Sequence, residues 1–117
     1  MSDRARRREL RDQYREARPE AGVYRIVNGH SGRALLGSTP NLASLRNRLE
    51  FARSTNTPGA LDHRLVEDAR RDGVGVFRLE VLEVLDTKPE ATPAQIRRDL
   101  AVLEGLWREK LDPAALY

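Results

Sequence analysis

The chain has 117 residues, enough for one hydrophobic core and one domain. It is 39% apolar and 33% charged, a balance that is typical of a small folded domain rather than a disordered chain. It has no cysteine, which excludes disulfides and thiolate metal sites, and no apolar run approaches the roughly 20 residues of a membrane-spanning helix. The N-terminus lacks the apolar segment of a secretory signal, so we expect a cytoplasmic protein.

The net charge is only +3, but the basic residues are unevenly distributed and nearly all are arginines. Residues 21–60 contain five arginines and a single acid, whereas residues 61–117 carry more acids than bases. Because the planar guanidinium group suits phosphate oxygens, this pattern favours a phosphate-bearing partner such as DNA. The alternative is that the arginines are ordinary solvated surface residues. The five arginines of the basic segment are Arg25, Arg33, Arg46, Arg48 and Arg53.

Residues 1–20 form a charged N-terminal segment that we separate from a domain spanning residues 21–117. Within residues 3–18, Leu10 and Tyr14 are spaced as on one helix face and almost all other residues are charged, which predicts an exposed helix ending before Pro19. Three alternatives remain for so thin an apolar stripe. The helix packs on the domain, frays in solution, or acts as a basic arm that contacts nucleic acid.

The stretch from Gly22 to Gly37 predicts a β-hairpin. Residues 23–27 are rich in β-branched and aromatic side chains, which favour a strand. The following turn, residues 28–32, contains two glycines that tolerate positive φ, and a short apolar strand returns to Gly37.

Two helices are predicted after the hairpin. The first begins with Thr39 as N-cap and Pro40 at the first helical position, and it buries a stripe of leucines and one alanine. The next extends from about Ala60 to Arg71 and ends at Gly73. The buried positions are Leu42, Leu45, Leu49 and Ala52 in the first helix, and Leu61, Leu65 and Ala69 in the second.

A strand and a long helix complete the prediction. Residues 74–85 alternate as in a strand that pairs with the hairpin and places Phe77, Leu79 and Val81 on one face. Residues 92–95 form a capping box, after which a helix extends to Leu111. The order β-β-α-α-β-α predicts an α+β fold in which helices flank a small three-stranded antiparallel sheet.

The two ends of the hairpin resemble the paired signature of the GIY-YIG nuclease family. Gly22-Val23-Tyr24 is similar to the first triplet, Leu35-Leu36-Gly37 to the second, and the segment 37–42 to the loop that enters the family's first helix. Glu104-Gly-Leu-Trp107 resembles a late Glu-x-x-Trp motif. The resemblance covers residues 22–111 and implies the fold predicted above.

The resemblance also implies a DNA-binding domain with divalent-metal-dependent endonuclease activity. By analogy Tyr24 activates the water or acts as a base, an arginine on the first helix stabilises the charge on the phosphate, and Glu104 holds one Mg²⁺ or Mn²⁺ ion. One hard carboxylate together with water and substrate phosphate is a common way to bind Mg²⁺. The basic segment of the chain is then the expected DNA-binding surface.

Several positions depart from the family pattern, among them Leu49, on which a histidine often seen in the family falls. Leu35 replaces the second tyrosine, and the family's helix arginine falls on Leu45. Arg48, one turn later on the same helix face, is the predicted substitute, and Arg46 is the second choice. We therefore expect impaired or specialised cleavage. The alternatives are a catalytically inactive nucleic-acid-binding or regulatory module, and a protein-interaction domain whose arginines are surface residues.

Ordinary structural roles also remain open for the candidate residues. Tyr24 is equally a core residue of a strand, and Glu104 forms an i, i+4 pair with Arg108 on any helix. His63 lies near a position at which many family members carry histidine or asparagine, but together with His30 it makes no zinc site.

Overall fold

The computed structural model describes residues 5–6 and 18–117. Of the charged helix predicted for residues 3–18, all but Ala5, Arg6 and Arg18 lie outside the described residues, Leu10 and Tyr14 included. In the part of the chain that is described, no helix has both the length and the apolar character needed to cross a bilayer.

The described chain has an α+β fold with a three-stranded sheet and three helices in the predicted order β-β-α-α-β-α. Short 3₁₀ turns at Pro58–Ala60, Val74–Val76 and Pro113–Ala115 connect or follow these elements. The strands are β1 (Gly22–Asn28), β2 (Ala34–Thr39) and β3 (Phe77–Val84), and the helices are α1 (Leu42–Thr55), α2 (Val66–Asp72) and α3 (Pro93–Lys110).

The sheet is antiparallel, with β1 in the centre and the strand order β2-β1-β3. The predicted hairpin and its pairing with the third strand are thus confirmed. Tyr24 lies opposite Gly37 of β2 and opposite Val81 of β3, and the register with β3 shifts between Val23 and Tyr24. This register determines which side chains meet at the candidate site.

Asn28 organises the hairpin turn. Its side chain is fully buried, and its Oδ1 atom accepts hydrogen bonds from the backbone N–H groups of His30 (2.8 Å) and Ser31 (3.1 Å). Gly32 has a φ of 80°, as glycine readily allows, whereas Gly29 does not have a positive φ. The Asn28 Nδ2 atom donates to the hydroxyl of Tyr117 (3.0 Å), which fixes the turn to the end of the chain.

Helix α1 begins two residues later than predicted. Thr39 remains in β2 opposite Gly22, and the N-cap is Asn41, whose Oδ1 accepts from the N–H of Ser44 (3.0 Å). The predicted start at Thr39-Pro40 is therefore wrong, because the strand continues through Thr39 and Asn41 caps the helix. Of the predicted stripe, Leu42, Leu49 and Ala52 are buried, and Leu45 is half-buried.

Helix α2 is shorter than the predicted helix from Ala60 to Arg71. Leu61 is extended, and the Oδ1 atom of Asp62 accepts from the N–H of Arg64 (2.9 Å), so this segment forms a turn before the helix begins at Val66. The predicted buried positions Leu61, Leu65 and Ala69 are confirmed.

Strand β3 and helix α3 fit the sequence prediction with one change. The residues from Val74 to Val76 form a 3₁₀ turn after Gly73, which has a φ of 91°, so the strand begins only at Phe77. Phe77 is buried, whereas Val81 is 37% exposed. The capping box of α3 is confirmed, because Thr92 and Gln95 exchange side-chain-to-backbone hydrogen bonds.

The two faces of the sheet are covered by different helices. Ile26 and Leu35 belong to a buried cluster with residues of α1, α2 and the loop between them. Successive strand residues point to opposite faces of the sheet. On the face opposite to this cluster, the side chains of Ser38 and Glu83 form hydrogen bonds with residues of α3. Tyr24 packs against the α1–α2 cluster at its edge.

Candidate functional site

A cavity of about 120 Å³ lies between β1, β2, α1 and the loop that precedes α2. Its polar wall residues are Tyr24, Arg48 and Asp62. Its apolar wall includes Leu35 and Leu45, the two residues that the predicted GIY-YIG resemblance aligns with a tyrosine and an arginine. The structure therefore brings Tyr24 and the predicted substitute Arg48 to the same cavity.

The position of Tyr24 depends on the glycine opposite it. A Cβ atom at residue 37 would lie 2.5 Å from the Tyr24 hydroxyl oxygen and 2.7 Å from Cζ, so the phenol ring crosses directly above Gly37. Any larger residue at this position would collide with the ring. Gly37 is thus required here for close approach, and it allows the Tyr24 hydroxyl to extend across β2.

Glu104 approaches the same part of β2 from α3. Its Oε1 atom accepts a hydrogen bond from the hydroxyl of Ser38 (2.9 Å), the residue after Gly37. Its Oε2 atom accepts from Nη2 of Arg108 (3.3 Å), so the ordinary i, i+4 pair is also present. The Tyr24 hydroxyl and the Glu104 carboxylate therefore meet two adjacent residues of one strand, from the two sides of the sheet.

The surroundings of Tyr24 hold its hydroxyl in the neutral form. Burial raises the pKa of Tyr24 above its ordinary value of 10.0, and the negative charges of Asp62 and Glu104 raise it further. The positive charges of Arg64 and Arg48 oppose this shift of the pKa in part. At neutral pH the phenol is therefore protonated, so it can serve as a hydrogen-bond donor and is a poor base.

Asp62 and Arg64 form an ion pair beside Tyr24 that the sequence analysis missed. Nε and Nη2 of Arg64 donate to the two carboxylate oxygens of Asp62 at 3.0 and 3.1 Å. The hydrogen bonds that Arg64 donates lower the pKa of Asp62. The same hydrogen bonds to Asp62 raise the pKa of Arg64. The intervening His63, a candidate functional residue from the sequence, has a side chain that is 88% exposed and lies 3.5 Å from Asp62.

Arg46 and Arg48 differ in their relation to the cavity. Arg48 lines it together with Leu45, one turn earlier on the same helix face, whereas Arg46 is exposed and is not part of the wall. In the described ranges neither arginine forms an ion pair or a side-chain hydrogen bond. Both guanidinium groups are thus available to an external anion, and only that of Arg48 lies at the cavity.

Leu35 is a core residue. Its side chain is 1% exposed and lies opposite Ile26 in the sheet, within the main hydrophobic cluster. A leucine offers no hydrogen bond to a phosphate or to Tyr24. The site therefore has one tyrosine hydroxyl where the family pattern has two.

The remaining predicted DNA-binding arginines bind groups of the protein itself. Arg25 follows Tyr24 in β1 and so lies on the other sheet face, where its Nε donates to Glu80 (2.6 Å). Arg33 lies 4.4 Å above the ring of Tyr117, and Arg53 donates to the carbonyl of Phe77. Of the five arginines predicted to bind DNA, Arg25, Arg33 and Arg53 thus have partners within the chain, and Arg25 lies on the opposite face of the sheet from Tyr24.

Glu104 is the residue predicted to bind a metal ion, and its surroundings determine which other ligands such an ion could have. Among the described residues no group of three or more His, Asp or Glu side chains is placed to hold a metal ion. Glu104 is 28% exposed and offers hard carboxylate oxygens. Because Mg²⁺ keeps several waters and commonly takes only one or two carboxylates plus substrate phosphates, Glu104 fits such an ion as one ligand.

No protein-family model, curated protein or solved structure matches the chain. The resemblance to the GIY-YIG family therefore stays a prediction from the residues.

Proposed function

We propose that this chain is a GIY-YIG-like DNA-binding domain that hydrolyses phosphodiester bonds with the help of Mg²⁺ or Mn²⁺. The observation that carries the proposal is that Tyr24 and Glu104 contact the adjacent residues Gly37 and Ser38 of β2. Arg48 lines the adjoining cavity and supplies a positive charge. A hydrogen-bond donor, a cation and a metal-binding carboxylate are groups that can promote metal-dependent phosphodiester hydrolysis.

The residues have distinct roles in this proposal. The neutral Tyr24 hydroxyl donates a hydrogen bond to a phosphate oxygen or orients the attacking water. Arg48 stabilises the negative charge that develops on the phosphate in the transition state. Glu104 would hold the metal ion, which supplies Lewis-acid activation when bound. Cleavage is slow because Leu35 contributes no second hydrogen-bond donor.

A nicking assay tests this function. The purified chain is incubated with single- and double-stranded DNA in the presence of Mg²⁺ or Mn²⁺, and the products are separated by electrophoresis. We expect cleavage that Glu104→Ala abolishes and that the matched variant Glu109→Ala, on the same helix, leaves unchanged. A folded protein that yields no product, or that cleaves equally well in EDTA, would contradict the proposal.

A second candidate is a catalytically inactive nucleic-acid-binding or regulatory module. It is favoured by the burial of Leu35 in the core and by the engagement of both Glu104 oxygens, by Ser38 and Arg108. This candidate predicts salt-dependent DNA binding that Arg48→Ala weakens, with no product at any metal concentration.

A further inference from the structure

Helix α1 exposes an aromatic side chain beside the candidate site. Phe51 is 56% exposed, although phenylalanine is among the residue types most often found fully buried. The other large exposed apolar side chains in the described part of the chain are aliphatic and belong to β3 and α3. They are Val81, Val84, Val102 and Leu106.

The geometry of the helix places Phe51 next to Arg48. Residues three apart on a helix are surface neighbours, with Cβ atoms about 5–6 Å apart. Arg46 points about 160° away from Arg48 around the helix axis, and so lies on the opposite flank. The exposed ring thus shares its flank with Arg48, the one of these two arginines that lines the Tyr24 cavity.

We propose that Phe51 stacks an unpaired nucleobase whose neighbouring phosphate is bound by Arg48. The site then selects single-stranded or frayed DNA over intact duplex, because the bases of a duplex are stacked on one another and present no free face to the ring. This inference rests on the proposed DNA-binding function and specifies its substrate class.

The charge of the site supports this ligand over an apolar partner. Arg48 forms no ion pair within the described residues, so its charge is available to a phosphate. An aromatic ring beside an uncompensated arginine is a combination that single-strand-binding proteins use, in which the ring stacks on the base and the cation binds the backbone. Phe51 also lies within the last two turns of α1, whose end is held by the hydrogen bond from the Thr55 hydroxyl to the Phe51 carbonyl (2.6 Å).

Binding measurements in EDTA test whether Phe51 is a stacking platform for a nucleobase, and they do not depend on cleavage. The probe is an oligonucleotide of about 12 nucleotides that contains 2-aminopurine, as a single strand or annealed into a duplex. We expect Phe51→Ala to weaken single-strand binding about tenfold and duplex binding less than about twofold, and Phe51→Trp to retain wild-type affinity. The control Leu106→Ala removes an exposed apolar side chain from α3 and leaves both affinities unchanged.

The possible outcomes separate this inference from the proposed function. If the folded wild-type chain binds neither probe, both are overturned. If it binds DNA and Phe51→Ala changes nothing, or weakens single strand and duplex equally, the stacking platform is overturned and the DNA-binding function stands. If Phe51→Ala instead alters the oligomeric state in size-exclusion chromatography and leaves DNA affinity intact, Phe51 belongs to a contact between copies of the chain, and the platform is likewise overturned.

Discussion

The hydroxyl oxygen of Tyr24 lies so close to the backbone of Gly37, its partner in the neighbouring strand, that a Cβ atom there would be 2.5 Å from it. Gly37→Ala must therefore displace the Tyr24 ring. We expect this overpacking to lower the free energy of unfolding by about 1–3 kcal/mol and to weaken DNA binding or cleavage. Urea denaturation measures the change in stability.

Gly105 provides the matched control for this substitution. It lies inside α3, and a Cβ atom there would have no neighbour within 4 Å. Gly105→Ala should leave stability unchanged or raise it by up to about 1 kcal/mol through helix propensity. If both variants changed stability by the same amount and sign, the close approach at Gly37 would have no energetic importance.

Arg48 and Arg46 offer a comparison at equal charge. Arg48→Ala should weaken DNA binding by roughly tenfold, because the lost cation lies at the cavity, and should reduce the slope of log Kd against log salt by about one phosphate contact. Arg46→Ala should have a smaller effect. Fluorescence anisotropy over a salt series measures both quantities, and equal losses would mean that position on the helix is irrelevant to binding.

If the proposed DNA-binding function holds, Asp62 would compete with DNA phosphate for the guanidinium of Arg64, with which it forms an ion pair. Asp62→Asn should therefore strengthen DNA binding roughly two- to fivefold, since an exposed ion pair is worth up to about 1 kcal/mol. Arg64→Ala should weaken it. Glu67→Gln removes the same charge from the first turn of α2 and is the control for net charge. If it strengthens binding as much as Asp62→Asn does, the effect is not specific to the ion pair.

The raised pKa of Tyr24 predicts how stability changes at high pH. A group whose pKa is higher in the folded state stabilises the fold below its unfolded pKa, here 10.0, and loses that contribution as pH rises through the folded value. Above about pH 10 the wild type should therefore lose stability faster than Tyr24→Phe. Tyr117 is present in both proteins, so the difference isolates Tyr24. Unfolding curves at several pH values provide the measurement, and parallel losses would contradict the shift.

The hydroxyl of Tyr117 satisfies the buried side chain of Asn28. In Tyr117→Phe the Nδ2 atom of Asn28 loses its 3.0 Å acceptor and keeps a long contact with Asp68 (3.5 Å). Asp68 also loses the hydrogen bond that the Tyr117 hydroxyl donates to it (2.5 Å). Leaving a buried donor so poorly paired should cost roughly 1–3 kcal/mol. Ser54→Ala, which removes an exposed hydroxyl, is the control and should change stability by less than about 0.5 kcal/mol. Thermal denaturation distinguishes the two.

Features that depend on local sequence were predicted well. The hairpin follows from β-branched residues and turn glycines, and the capping box of α3 from Thr92 and Gln95, because these interactions join residues close in the chain. The start of α1 was misplaced, since Thr39 pairs with Gly22 across the sheet and the N–H of Leu42 donates to the carbonyl of Glu20. Sequence spacing does not contain these non-local pairings.

Only part of the candidate site was predicted, because the rest of it depends on contacts between residues that are distant in the sequence. Tyr24 and Arg48 were found because a family pattern and a helix face identify them. Asp62 and Arg64 were not, because the loop before α2 reaches Tyr24 only through the packing of Leu61 and Leu65 in the core. The exposure of Phe51 likewise depends on which face of α1 the sheet covers.

The hydrogen bond between Asn28 and Tyr117 joins residues that are 89 positions apart. Closing so long a loop is entropically costly, so we expect this contact to form after the rate-limiting step of folding. Tyr117→Phe should then accelerate unfolding and leave the folding rate nearly unchanged, which stopped-flow measurements can resolve. The Tyr117 hydroxyl would then affect how long the folded domain persists, and not how fast it forms.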